Sequence, residues 1–137
     1  MAHNKGALTV SGKRKTAIAK ATIREGTGKV TINKILYTSL SDFHRLSIRE
    51  PIDIAKENLG NFKFDINVNV KGGGKESQIE ASRLAIAKAI IAFSKSKDLK
   101  KIMSDYDKNM VVADVRRKEP NKPGDSKARA RRQSSKR

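Results

Sequence analysis

The stretch from residue 62 to 94 constrains the fold more than any other part of this sequence. It begins with FKFDINVNVK, in which apolar and polar residues alternate strictly, the period of a strand with one buried face. Three glycines at 72–74 end this strand. From about residue 76 to 94, apolar residues recur at helical spacing and form a broad stripe. This order predicts a half-buried strand followed by a helix that packs on the sheet.

The N-terminal part is typical of extended chain. LTVSGKRK and TAIAKATIREG predict strands, although Ala17 to Ala21 is also compatible with helix. GTG at 26–28 is a turn signal, and apolar residues at strand-like spacing follow it up to Ile35. We therefore predict a hairpin that pairs residues 16–25 with residues 29–35.

The remaining segments favour helices. Ser41 is a candidate N-cap, and Glu50-Pro51 predicts a break, because the residue before proline is pushed away from helical geometry. Pro51 then suits the first turn of a second short helix that Gly60 ends. Residues 95–106 predict a further, more polar helix. Strands that are followed by helices on one face indicate an α+β layer.

Charge divides the chain in two. The 137 residues carry 31 Lys and Arg but only 14 Asp and Glu, a formal net charge of +17. Residues 116–137 hold ten of the basic and two of the acidic residues, and Pro120, Pro123 and Gly124 punctuate them like a linker. We predict a folded body at 1–115 and an extended basic tail at 116–137. Such charge points to a polyanion partner, with nucleic acid favoured over an anionic membrane surface.

Several functional classes lack the residues that they need. The chain has no cysteine, its two histidines are far apart, and its acids form no recognisable cluster with histidine. Its six aromatic residues lie mostly at core-like positions, which disfavours a base-stacking platform. No apolar run is long enough to span a membrane, and the N-terminus lacks a secretory core. We expect a soluble intracellular protein that is not an enzyme, with no cofactor, no metal and no membrane partner.

The GGGKES motif at 72–77 resembles a nucleotide-binding P-loop only superficially. That loop needs its lysine to be followed by Ser or Thr and its first glycine at position 69, where the chain has Glu76 and Asn69 instead. Two interpretations stay open. The glycines and the following helix start present amides to RNA phosphate, or they form an ordinary strand-to-helix turn.

Basic residues in the body allow similar alternatives. Lys13, Arg14 and Lys15 are adjacent, so at most two of them share one face of a strand. They either contact an RNA backbone, which the overall charge favours, or protect a solvated sheet edge. Arg83 lies within the apolar stripe of the long helix. It either extends to solvent along its apolar stem or emerges at the sheet edge to bind phosphate.

The tail ends in SKARARRQSSKR, which has six cations and no apolar residue larger than alanine. This composition cannot offset the entropy of ordering without a partner. Fully extended, 22 residues span roughly 70 Å, and six phosphate contacts would give a salt slope of about −4 to −5. Two interpretations stay open: a generic basic tail that binds any polyanion, and a thread that is ordered along RNA.

Three stretches in order resemble the S-nine family of small-subunit ribosomal proteins. They are SGKRKTAIAKATIREGTGKVTIN, GGGKESQIEASRLAIAKAI and KARARRQSSKR. The resemblance runs from Leu8 to Arg137 and is closer to archaeal and eukaryotic members than to bacterial ones. Residues 36–60 match least.

The resemblance implies an α+β body, with one mostly antiparallel sheet of four strands covered by helices. It further implies a cytoplasmic location in the small subunit, docking on rRNA of the head beside neighbouring head proteins, and a tail that reaches the peptidyl-site tRNA. A free histone-like or RNA-chaperone protein is the alternative. The candidate rRNA-binding residues are Lys13, Arg14, Lys15, Arg83, Lys88, Arg116, Arg117, Lys127, Arg129, Arg131 and Arg132. The candidate tRNA-binding residues are Ser135, Lys136 and Arg137.

Overall fold

The computed structural model describes residues 6–132 and 134–136, and it contains one sheet with helices packed against it. The strands are β1 (Leu8–Arg14), β2 (Ala17–Glu25), β3 (Val30–Ile32), β4 (Ile35–Leu36) and β5 (Phe64–Lys71). The helices are α1 (Asp42–Leu59), α2 (Lys75–Ser94) and α3 (Lys97–Tyr106), with short 3-10 turns at Tyr37–Ser39 and Lys108–Met110. None of the helices in the described part is long and apolar enough to cross a membrane.

The sheet has the order β1-β2-β5-β3-β4, and β3–β5 is its one parallel pair among the described strands. The predicted α+β class and mostly antiparallel sheet are confirmed. The sheet has five strands instead of four because the chain turns back at Asn33 and Lys34, which both have positive φ. A two-residue turn of this kind joins antiparallel strands, so the two residues of β4 pair with β3.

The predicted hairpin between residues 16–25 and 29–35 is wrong. Strand β2 pairs with β1 on one side and with β5 on the other, so β5 lies between β2 and β3. The turn that follows β2 therefore passes across the start of β5. There Asp65 Oδ1 accepts the backbone N–H groups of Thr27, Gly28 and Lys29 at 2.9, 3.2 and 3.1 Å, which holds the turn in place.

The predicted break at Glu50-Pro51 is also wrong, because α1 continues through Pro51 for 18 residues. Proline lacks the N–H that would bond to the carbonyl one turn earlier. The cost is tolerated here because Pro51 is buried together with Ile48, Ile52 and Ala55 on the face that packs against α2. Ser41 occupies the predicted N-cap position, and Gly60 ends the helix with φ 77°.

Helix α2 is the centre of the core and confirms the prediction for residues 76–94 to within one residue. Its small residues allow β1 to approach closely. A Cβ at Gly12 would lie 2.6 Å from the carbonyl oxygen of Ala81 and 2.7 Å from the amide nitrogen of Ala85. The strand and helix backbones are therefore almost in contact, which explains why glycine and alanine occupy these positions.

The polypeptide leaves the core after α3. Met110 is fully buried in the short 3-10 turn, whereas Val112 and Val115 are exposed. From Val111 onward the described residues form no helix or strand. The apolar MVVADV segment is thus the point where the chain departs from the body.

Candidate nucleic-acid interface

Arg14 lies at the end of β1 and is directed toward the helix side of the body. Its Nε pairs with Glu80, and its Nη1 lies 2.7 Å from Oδ2 of Asp114. The side chain is only 17% exposed. The structure thus places this candidate between two carboxylates of the protein itself.

Arg83 occupies an equivalent environment on α2. Its guanidinium pairs with Glu50 of α1 and, at 3.0 Å, with Asp107 after α3, and its side chain is 15% exposed. Tyr106 donates to the other oxygen of Glu50 at 3.4 Å. Arg83 therefore neither extends freely into solvent nor emerges at the sheet edge. It joins three helical segments.

The remaining body candidates are in more open positions. Lys88 donates from Nζ to the backbone oxygen of Ser11 at 3.0 Å, which ties α2 to the edge strand β1. Lys15 lies in the β1–β2 turn with φ 53°, and Lys13 is exposed on the side of the sheet away from the helices. Neither Lys13 nor Lys15 forms an ion pair with any residue that the structure describes.

The start of the tail is anchored at Asp114. Arg116 donates to this carboxylate from its backbone N–H at 2.9 Å and from its guanidinium at 2.7 Å, while Arg117 bonds only to backbone oxygens. The side-chain bond from Arg116 is the main cause that holds the pKa of Asp114 well below its usual range, with a further contribution from Arg14. The same contact raises the pKa of Arg116.

The tail beyond this point has only local contacts within the described part. Arg129 pairs with Glu119 at 2.8 Å, and Lys122 and Ser126 donate to the carbonyl of Ala130. Other candidates there are exposed without an ion pair: Lys127, Arg131, Arg132 and Lys136. Ser135 is exposed as well, and Arg137 lies outside the described residues.

The glycine motif packs against the chain's own backbone. A Cβ at Gly72, which has φ 79°, would lie 2.6 Å from the carbonyl oxygen of Thr16. Gln78 donates to the carbonyl of Gly72 at 3.1 Å. The surface that these glycines approach is the β1–β2 turn, which favours an ordinary strand-to-helix turn over a phosphate loop.

Four cations that were not among the candidates lie on or beside the uncovered side of the sheet. Lys20 and Arg24 of β2, Lys71 of β5, and Lys29 just before β3 are all exposed. The signal was present in the sequence. In AIAKATIRE the polar residues alternate with alanine and isoleucine, which places Lys20 and Arg24 together on the face opposite the buried alanines.

Comparison with known proteins places the chain in a family. Residues 12–137 match the family described as ribosomal protein S9/S16. The small ribosomal subunit protein uS9 of Methanococcus vannielii is 46% identical over 127 residues, which cover 90% of this chain and 93% of the relative. Two Methanococcus maripaludis strains have uS9 proteins that are 45% and 44% identical over the same shares. The chain belongs to the S9/S16 family.

Family membership confirms the archaeal-like S-nine resemblance and the prediction that the protein is not an enzyme. The chain is a structural protein of the small ribosomal subunit, and its location is cytoplasmic. The described residues contain no cluster of three or more His, Asp or Glu side chains that could hold a metal ion. His44 pairs with Glu76 at the start of α2, with 2.7 Å between Nε2 and Oε1.

The S9/S16 match extends from Gly12 in β1 through the glycine motif and α2 into the tail. Within this match, Gly12 and Gly72 allow close contacts of the backbone. Gly12 brings β1 against α2, and Gly72 lies against the β1–β2 turn. Exposed cations without an ion pair to any described residue lie on the uncovered side of the sheet and along the tail, and also on the helix side, for example at Lys97 and Lys101.

Proposed function

We propose that the protein binds small-subunit rRNA through its body, beside neighbouring head proteins, and extends its tail through rRNA toward the peptidyl-site tRNA. The observation that supports this proposal is the exposure of the cations in the tail. Beyond Asp114, every hydrogen bond and ion pair in the described tail is made with another residue from 114 onward. Apart from Arg116, which pairs with Asp114, the described cations of the tail therefore have no acidic partner on the body, and an external polyanion would supply one.

The division into a body at 1–115 and a tail at 116–137 supports the same function. An RNA lining would neutralise the tail, and phosphate contacts would offset the entropy that ordering removes. Arginine suits this role at Arg129, Arg131 and Arg132 because its planar fork meets two phosphate oxygens at once. A contact of this type does not depend on base sequence, which suits a site that accepts every tRNA.

The Asp114 cluster gives the tail a defined starting point. Arg14 of β1 and Arg116 of the tail meet at the same carboxylate. Because Arg14 belongs to the sheet, this contact fixes where the tail leaves the body. In the proposed function, Arg14 and Arg116 thus position the thread, and the cations further along it contact RNA.

Removal of Ser135 to Arg137 tests the tRNA part of the proposal. We expect truncated protein to assemble into small subunits normally, and the resulting subunits to bind peptidyl-site tRNA more weakly. The measurement is tRNA affinity of reconstituted subunits at several salt concentrations. A matched full-length variant, Lys136→Gln with Arg137→Gln, removes only the charge and should reproduce most of the loss. Unchanged tRNA affinity in both variants would refute this part.

Sedimentation of cell extracts separates the proposal from its alternative. A free histone-like or RNA-chaperone protein would share the net charge of +17 but would migrate apart from ribosomal subunits. We expect the protein to co-sediment with small subunits and to stay with them at salt concentrations that remove loosely bound basic proteins.

A further inference from the structure

We propose that the side of the sheet away from the helices, the open sheet face, is where the body docks on the phosphate–ribose backbone of structured RNA. This inference rests on the proposed rRNA binding and assigns it to a surface. The open sheet face consists of Thr9, Ser11, Lys13, Ile18, Lys20, Thr22, Arg24, Thr31, Leu36, Asp65, Asn67, Asn69 and Lys71, with Lys29 at its border.

The charge on this face is strongly unbalanced. Lys13, Lys20, Arg24, Lys29 and Lys71 make no ion pair with any residue that the structure describes. The face has a single carboxylate, Asp65, whose Oδ1 accepts the three backbone N–H groups of the 27–29 turn. The bond from Lys29 is the main cause that lowers the pKa of Asp65, so this carboxylate is already occupied within the fold.

Elsewhere in the body, arginine charges are neutralised by acids. Arg14 and Arg83 each contact two carboxylates on the helix side. A groove of about 520 Å³ between α1 and α3 is lined by Glu50, Asp53 and Glu57 without any cation, which makes it unsuitable for RNA. Unpaired lysines also occur on the helix side, at Lys56, Lys97 and Lys101, but exposed acids such as Glu57 and Asp98 are interspersed with them. On the open sheet face five cations share one carboxylate, so charge complementarity favours a polyanion there.

The geometry fits an extended backbone better than one phosphate group. Lys13 and Lys71 flank Ile18 in the register of β1, β2 and β5, so they are about 10 Å apart across two strand spacings. Lys20 and Arg24 are about 13 Å apart along β2. Two concavities lie at opposite ends of the face, one of about 320 Å³ beside Arg24 and Lys29 and one of about 660 Å³ beside Lys20 and Lys71.

The neutral side chains of the face favour backbone contacts over base contacts. Threonine and asparagine occupy its centre, with Thr9 bonded to Thr22 at 3.1 Å and Thr31 donating to Asn67 at 3.0 Å. Hydroxyl and amide groups of this type can bond to phosphate oxygens and ribose 2′-hydroxyls. No aromatic side chain lies on the face to stack with unpaired bases. The open sheet face would therefore recognise the shape of the RNA backbone and not its base sequence.

Chemical footprinting of lysines tests the proposal on the unaltered full-length protein. The protein is acetylated free, bound to a transcript of small-subunit rRNA, and within intact subunits, and each lysine is quantified by mass spectrometry. We expect Lys13, Lys20, Lys29 and Lys71 to be protected by rRNA alone, while the exposed helix-side residues Lys56, Lys97 and Lys101 stay reactive. Protection of the sheet lysines only in intact subunits would overturn the proposal, because it would mean that another protein covers this face.

Two matched triple variants provide a second test. The first, Lys20→Gln with Arg24→Gln and Lys71→Gln, neutralises the open sheet face. The second, Lys56→Gln with Lys97→Gln and Lys101→Gln, removes the same charge from the helix side. Each lost phosphate contact should reduce the salt slope of rRNA binding by about 1, so we expect the first slope to fall by about 2 to 3 and the second to stay near that of the unaltered protein. Equal slopes for the two variants would contradict the proposal.

A third full-length variant separates this inference from the proposed function. It carries glutamine at Lys127, Arg129, Arg131 and Arg132. Weaker binding by this tail variant, with unchanged binding by the sheet-face variant, would overturn the sheet-face assignment and leave the rRNA-binding role intact. If the tail variant and the sheet-face variant both bind rRNA as the unaltered protein does, the sheet-face assignment and the proposed rRNA binding are both refuted. Circular dichroism and thermal unfolding check that every variant folds, and the single substitution Lys20→Gln repeats the test with minimal change.

Discussion

The helix side and the open sheet face of the body carry basic residues in opposite ways. On the helix side, Arg14 and Arg83 are mostly covered, and each bridges carboxylates from different segments. On the open sheet face, lysines such as Lys20 and Lys71 extend from strands and meet no acid among the described residues. The two mostly covered arginines of the helix side therefore support the fold, whereas the cations of the open sheet face remain free for a partner.

Lys13 and Arg14 show how sharp this difference is. They are neighbours in β1, yet successive side chains of a strand point to opposite faces, so Lys13 lies on the open sheet face and Arg14 on the helix side. A basic residue in a ribosomal protein is thus not automatically an RNA contact. Its strand register and its acidic neighbours decide which role it has.

The largest expected effect compares packing on the two sides of β1. Gly12→Val should destabilise the protein by about 3 kcal/mol, because its Cβ would overlap the backbone of α2. The adjacent control Ser11→Val lies on the open sheet face and should change the free energy of unfolding by no more than about 0.5 kcal/mol. Urea unfolding measures both. Equal destabilisation would mean that the two sides do not differ in packing.

The next prediction compares one cation of the helix side, Arg83, with one cation of the open sheet face, Lys20. Arg83→Gln leaves Glu50 and Asp107 without their partner, and because both carboxylates are more than a third exposed we expect a loss of only about 1–2 kcal/mol. Lys20→Gln should leave stability nearly unchanged and reduce the salt slope of rRNA binding by about 1.

For both Arg83→Gln and Lys20→Gln, the free energy of unfolding and the salt slope of rRNA binding should be measured. We expect Arg83→Gln to keep the salt slope of the unaltered protein, so that stability and RNA binding respond to different residues. A reduced slope in Arg83→Gln, with full stability, would assign that arginine to the RNA interface instead. Arg83→Lys should not restore stability fully, since an ammonium cannot bridge two carboxylates as a planar fork does.

The smallest effect concerns Asp65, the carboxylate of the open sheet face. Its backbone hydrogen bonds lower its pKa in the folded state, so the folded protein binds fewer protons than the unfolded chain when the pH falls below about 4. The stability from this group is present above that pH and is lost as the pH decreases through the lowered pKa. Asp65→Asn should therefore show a shallower fall of stability than the unaltered protein in urea unfolding between pH 5 and 2. If the stability of Asp65→Asn and of the unaltered protein fell equally steeply with decreasing pH, the hydrogen bonds from the 27–29 turn to Asp65 would not stabilise the folded state.

Local patterns in the sequence predicted much of the fold. The alternation in β5, the helical stripe of α2 and the glycine stop after α1 all match the structure, since each is a property of consecutive residues. The hairpin prediction failed because strand neighbours need not be consecutive, and β5 pairs with β2 over eight residues. The break at Pro51 was wrong because burial against α2 outweighs a local preference.

The amino-acid order thus established the periodic elements, the charged tail and the family, all of which follow from composition and short-range spacing. The long-range contacts established the strand order, the partners of Arg14 and Arg83, and the separation of paired from unpaired cations. The physical reason is that an ion pair or a strand pair forms between residues far apart in the chain. Arg83 is 33 residues from Glu50 and 24 from Asp107, and folding brings all three together.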